Sequence, residues 1–168
     1  MNWILFCVGV ALCIYLVYNV FIITTYGVPK SLSETFYILD NKGWMFPIMI
    51  TSIAGLLLPA WIELSNGTNF QFLAFLSASC LMFVGFAPAF KSNKLTDRVH
   101  DFSAYLSALF AILWICFVPK TYFVLIGFLI LFFGISIITK TFKNAIVYWL
   151  EHIAIFSTFV SIIYYMCY

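Results

Sequence analysis

The chain is expected to fold as an all-α transmembrane helical bundle of six spans, and three features of the sequence carry that expectation. Of its 168 residues, 65% are hydrophobic, 21% aromatic and only 8% charged, far outside the make-up of a water-soluble domain. Long apolar runs alternate with short polar breaks, and a helix needs ~20 mostly apolar residues to cross the hydrocarbon core, so there is room for about six. Seven of the eight Lys and Arg fall in alternate loops: Lys30 and Lys42, then Lys91, Lys94 and Arg98, then Lys140 and Lys143. The positive-inside rule places those loops in the cytoplasm and both termini outside, which reads as a multi-pass protein of the inner (cytoplasmic) membrane. The whole chain, 1–168, forms one domain.

The spans are expected near 2–25, 44–64, 70–90, 99–118, 121–139 and 145–167. Met1, Asn2 and Trp3 supply no basic region, and the apolar run behind them is too long for a secretory signal, so 2–25 is a span. In the first cytoplasmic loop, Ser31 and Glu34 have the spacing of a capping box behind Pro29 and predict a short interfacial helix. Leu32, Phe36, Tyr37 and Leu39 make that helix sticky for the membrane interface, and Gly43 ends it. Pro47, Pro59 and Pro88 predict kinks in or near the second and third spans. Val118, Pro119, Lys120 and Thr121 form a tight hairpin between the fourth and fifth, and Gly127 and Gly134 predict a close packing seam on the fifth. Trp3, Trp44, Trp61, Trp114 and Trp149 lie at or near span ends, where amphipathic rings favour the headgroups. On the outer side Glu63 and Lys120 are expected to pair, and the sequon Asn66-Gly67-Thr68 sits in a loop too short for modification.

Intramembrane ionisable residues are the natural functional candidates. At ~100° per residue, His100 falls in a stripe with Ser103, Ala104, Ser107 and Ala111, so it is expected to face the bundle, with Asp101 on the flank beside Tyr105 and Ala108 and within a turn of Asp97. Glu151 shares the small and polar arc of Ala154 and Thr158. His152 keeps the company of Tyr148, Phe156 and Phe159. Glu151 is therefore the expected inward group, either neutral or partnered by His100, by Asn19 of the first span or by a cation. The five cysteines show no Cys-x-x-Cys spacing and read as packing residues. Nothing resembles a phosphate loop or a nucleic-acid patch.

The runs GVPKSLSETFY (27–37), PAWIE (59–63), FLAF (72–75), FVGFAPAFK (83–91) and VHDFSA (99–104) resemble a group of small, uncharacterised multi-span membrane proteins of gut Bacteroidetes and their phages. That resemblance implies a bacterial or phage-encoded inner-membrane protein and brings no activity with it. A more distant similarity is to the membrane hydrolases that include alkaline ceramidases and adiponectin-receptor-like proteins, in which Ser, Asp and three His build a zinc site at one face of a seven-helix bundle. Here Thr96 stands four before His100 where that pattern has Ser, and His152 alone remains of its closing histidine pair.

The first functional expectation is a non-enzymatic membrane component, without cofactor, that binds lipid, a partner protein or a second copy of itself through its aromatic faces and cytoplasmic loop. The second is a zinc-dependent lipid amidase or hydrolase at the inner leaflet, with His100, Asp101 and His152 as ligands and Glu34 or Glu151 as general base. The third is a small proton-coupled transporter with Glu151 as the titrating group. All three look to the cytoplasmic half, where Glu34, Asp40, Asp97, Asp101, Glu151 and both histidines gather.

Overall fold

The computed structural model describes residues 2–86 and 94–167, with side chains described over 3–86 and 98–167. The proposed kink at Pro88, the base Lys91 and the part of the resemblance at 87–91 lie outside the described residues, as do the side chains of Lys94 and Asp97. Seven α-helices are described: α1 (Asn2–Tyr26), α2 (Thr35–Ile38), α3 (Met45–Leu64), α4 (Gln71–Phe86), α5 (Lys94–Phe117), α6 (Tyr122–Ile138) and α7 (Ile146–Cys167), with a 3-10 turn at Asp40–Lys42. No strand occurs among the described residues. Trp3–Tyr26, Asp40–Leu64, Arg98–Phe117 and Ile146–Cys167 are four helical stretches long and apolar enough to cross a membrane, and α4 and α6 are shorter apolar helices of 16 and 17 residues. Large apolar side chains such as Phe6, Val17, Ile130 and Ile138 stand exposed on the outer faces, an arrangement water does not tolerate and lipid does.

The helix ends follow local chemistry. Gly27, at φ +83°, takes the left-handed conformation after α1 and donates its N–H to the Ile23 carbonyl at 3.1 Å, which caps the helix. In the next loop the Glu34 N–H donates to Ser31 Oγ at 3.2 Å, half of the expected capping box. The Glu34 carboxylate reaches one residue further back and accepts the Lys30 N–H at 2.5 Å. Gly43 sits where an added Cβ would run into the Phe36 carbonyl, so the close return of the chain onto α2 requires glycine.

In the core, α7 packs against α1, α3, α5 and α6, while α4 lies between α3 and α5. The contacts of α1 with α7 run antiparallel, since Asn19 meets Tyr148 and Tyr15 meets Phe159. Trp61, Trp114 and Trp149 are buried, and only Trp3 and Trp44 are exposed as a headgroup belt requires. The indole N–H of Trp114 donates to Ser65 Oγ at 2.7 Å and that of Trp149 to Thr141 Oγ1 at 3.0 Å, so loop hydroxyls take the place of headgroups. Leu32 and Leu39 belong to the core rather than to an interfacial face. Nothing approaches within 4 Å of a Cβ built on Gly127 or Gly134, so the seam expected on α6 has no partner helix within the described residues. Glu63 and Lys120 form no ion pair, in contrast to Lys30 and Glu34, whose charges lie 3.9 Å apart.

Candidate functional site

The loop after α1 folds back onto the first turns of α7 and builds the site from there. The first N–H groups of a helix lack intrahelical partners, and that of Tyr148 donates to the Lys30 carbonyl at 3.0 Å. One turn further along, Glu151 Oε2 accepts the Leu32 N–H at 2.7 Å. Thr35 locks the same loop, donating to the Leu32 carbonyl at 2.5 Å and sharing a 2.5 Å hydrogen bond with the Tyr18 hydroxyl. A loop that sequence reads as lying along the membrane is thus stitched to both α1 and α7.

Beside Glu151 lies a cleft between α3, α4, α5 and α7, with Leu32 also in its lining. Its α3 wall is the face Phe46, Ile50, Ile53, Leu57 and Trp61, spaced by three and four as one side of a helix requires. Opposite stand small side chains, Ala104, Ala108 and Ala111 of α5 and Ala154 of α7. Small residues on two facing helices leave the space that the large α3 residues do not fill. The lining hydroxyls are already committed: Ser77 and Ser107 donate to each other's carbonyls at 3.0 and 3.1 Å, and Thr158 donates to the Ala154 carbonyl at 2.8 Å. Among the described residues Glu151 is the one ionisable group in the lining, which there holds no Lys, Arg or His.

A second polar cluster lies behind the cleft. Asn19 donates through Nδ2 to the Tyr15 carbonyl at 2.9 Å, which fixes its amide so that Oδ1 accepts the Tyr148 hydroxyl at 3.0 Å and faces His152 Nε2 at 3.1 Å. The other ring nitrogen of His152, Nδ1, faces the Tyr148 carbonyl at 2.8 Å. The imidazole is 4% exposed and caged by the rings of Tyr15, Phe132, Tyr148, Trp149 and Phe156. With a protein oxygen against each nitrogen, neither side of the ring is open to a metal.

The candidates named from sequence therefore separate. Glu151 is in the cleft with Ser107, and Ser103 is buried on the same face of α5. His100 is half-buried and outside the cleft lining, and Asp101 is exposed. Glu34 is spent on Lys30, and Asn19 belongs to His152 rather than to Glu151. No group of three His, Cys, Asp or Glu among the described residues is placed to hold a metal ion, so His100, Asp101 and His152 do not assemble. Sequence reasoning missed the Leu32 N–H and the α3 wall; the wall's spacing was readable, but a backbone donor leaves no mark in a sequence. No protein-family model, curated protein or solved structure matches this chain.

Proposed function

We propose that the protein is a non-enzymatic, six-span component of a cytoplasmic membrane that binds a lipid-like molecule in the cleft between α3, α4, α5 and α7. The observation that carries this reading is the cleft itself, with apolar walls and, among the described residues, one carboxylate. In this reading α4 and α6 cross the membrane as well, tilted or with neighbouring loop residues making up the thickness, and the even count leaves both termini outside. The alternation of Lys and Arg between loops supports the orientation. The hydrolase reading receives no support from the arrangement of His100, Asp101 and His152. A proton-coupled transporter would use the same Glu151, and is favoured if a pH gradient drives a flux in vesicles that Glu151→Gln abolishes.

The binding reading is tested with a photoreactive long-chain alkyl probe on the protein in lipid nanodiscs. Labelling is expected on α5 and α7 at the cleft, and Ala108→Trp, which fills it, is expected to remove that labelling. Labelling confined to the outer faces of α1 and α6 would overturn the reading.

A further inference from the structure

Building on that reading, we infer that the cleft takes a single-chain amphiphile with a cationic, hydrogen-bond-donating head, an alkylammonium, whose head sits against Glu151 and whose chain lies along α3. Charge complementarity selects the head. Glu151 has two acceptor oxygens, and its hydrogen bond from the Leu32 N–H leaves further lone pairs for a ligand. An ionised carboxylate in an apolar lining is costly to leave without a counter-charge, so Glu151 is neutral when the cleft is empty, and an ammonium that enters supplies both the charge and the donors that hold it ionised. An anionic head gains nothing from the described lining: it has no cationic side chain among the described residues, and the hydroxyl protons of Ser77, Ser107 and Thr158 are engaged with backbone carbonyls. A carboxylate or phosphate head would face Glu151 with no donor to offset the repulsion.

Shape selects the chain. The lining residues of α3 run from Phe46 to Trp61, about 22 Å of helix at ~1.5 Å per residue, so the apolar lining is spread along α3. Glu151 stands in the second turn of α7 and holds the Leu32 N–H, so the polar contact is at one end of the lining, and the apolar side chains of Ile53, Leu57 and Ala111 lie beyond it.

The test is displacement of the bound photoreactive alkyl probe in nanodiscs by hexadecylamine, hexadecanol and hexadecanoate, on the wild type and on Glu151→Gln. Glutamine keeps an oxygen for the Leu32 N–H, so the fold has no reason to change, and partition into the nanodisc cancels when each competitor is compared between the two proteins. Hexadecylamine is expected to displace the probe from the wild type at roughly tenfold lower concentration than from Glu151→Gln, the size of one charge-assisted hydrogen bond. Hexadecanol is expected to differ little between the two proteins, and hexadecanoate to compete better with the variant. Equal potency of the amine on both proteins, or a wild type that favours the carboxylate, overturns the headgroup assignment while leaving the cleft as a binding site. Failure of all three competitors on both proteins removes the lipid-binding reading and this inference with it.

Discussion

Asn19 and Glu151 divide the polar work of the bundle. Glu151 is held by a loop N–H at the edge of an open cleft, while Asn19 sits in the core and carries the Tyr148 hydroxyl and the His152 ring on one oxygen. Removing a shared acceptor strands every donor that depended on it. Asn19→Ala is expected to cost roughly 1–3 kcal/mol, read as a lowered midpoint of thermal unfolding in detergent. His152→Phe should cost clearly less, because the ring fits the same aromatic cage and the Tyr148 hydroxyl still has Asn19. Equal losses for the two variants would show that the amide is not the centre of the network. At this scale the sequence revealed which face of α7 each side chain takes, since 151 and 152 differ by ~100° about the axis. It did not reveal that Asn19 belongs to His152, because partner choice across helices depends on the depth and rotation at which α1 meets α7.

Among elements, the predicted and observed helix limits agree within about two residues wherever a polar break coincides with a cap. Span 44–64 becomes Met45–Leu64, and 121–139 becomes Tyr122–Ile138. They part at α5, which begins at Lys94 rather than at 99, because hydropathy detects where a helix becomes apolar and not where its hydrogen bonds begin. Burial of Trp61 and Trp114 was hidden for a related reason: nearness to a span end says nothing about which way a ring points. The two classes of glycine make a test of the packing. Gly43→Ala is expected to lose about 1–3 kcal/mol, since its Cβ meets a backbone carbonyl that cannot step aside, whereas Gly127→Ala meets open space and should change stability by no more than about 0.5 kcal/mol. The reciprocal serines allow a further measurement on the α4–α5 pair. In a double-mutant cycle with Ser77→Ala and Ser107→Ala, each hydroxyl bonds the other residue's backbone, so the losses should be close to additive, with a coupling below about 0.6 kcal/mol. Strong coupling would mean that the two bonds hold the helices at one spacing and that losing either releases both.

For the whole molecule, the distribution of Lys and Arg and the folding of the first loop onto α7 bear on one question. The loop at 27–34 contacts the first turns of α7 through Lys30–Tyr148 and Leu32–Glu151, so the polar segments on either side of α1 and α7 meet at one end of the bundle. If the positive-inside rule governs the orientation, that end is cytoplasmic and Glu151 opens toward the inner leaflet. Single cysteines placed in a background lacking Cys7, Cys13, Cys80, Cys116 and Cys167 test this directly, because those native thiols form no disulfide whose loss would disturb the fold. In intact cells a membrane-impermeant maleimide is expected to label Asn66→Cys and Lys120→Cys, and to reach Lys42→Cys and Lys143→Cys only after the membrane is opened. Labelling of Lys42→Cys in intact cells would invert the orientation, and labelling of Asn66→Cys and Lys143→Cys from the same side would remove a span from the count. The pair on either side of α6, Lys120→Cys and Lys143→Cys, decides whether that helix of 17 residues crosses the bilayer or lies within one leaflet. Opposite sides require a crossing, and a crossing by so short a helix requires local thinning of the bilayer or help from Thr121 and Thr139 at its ends.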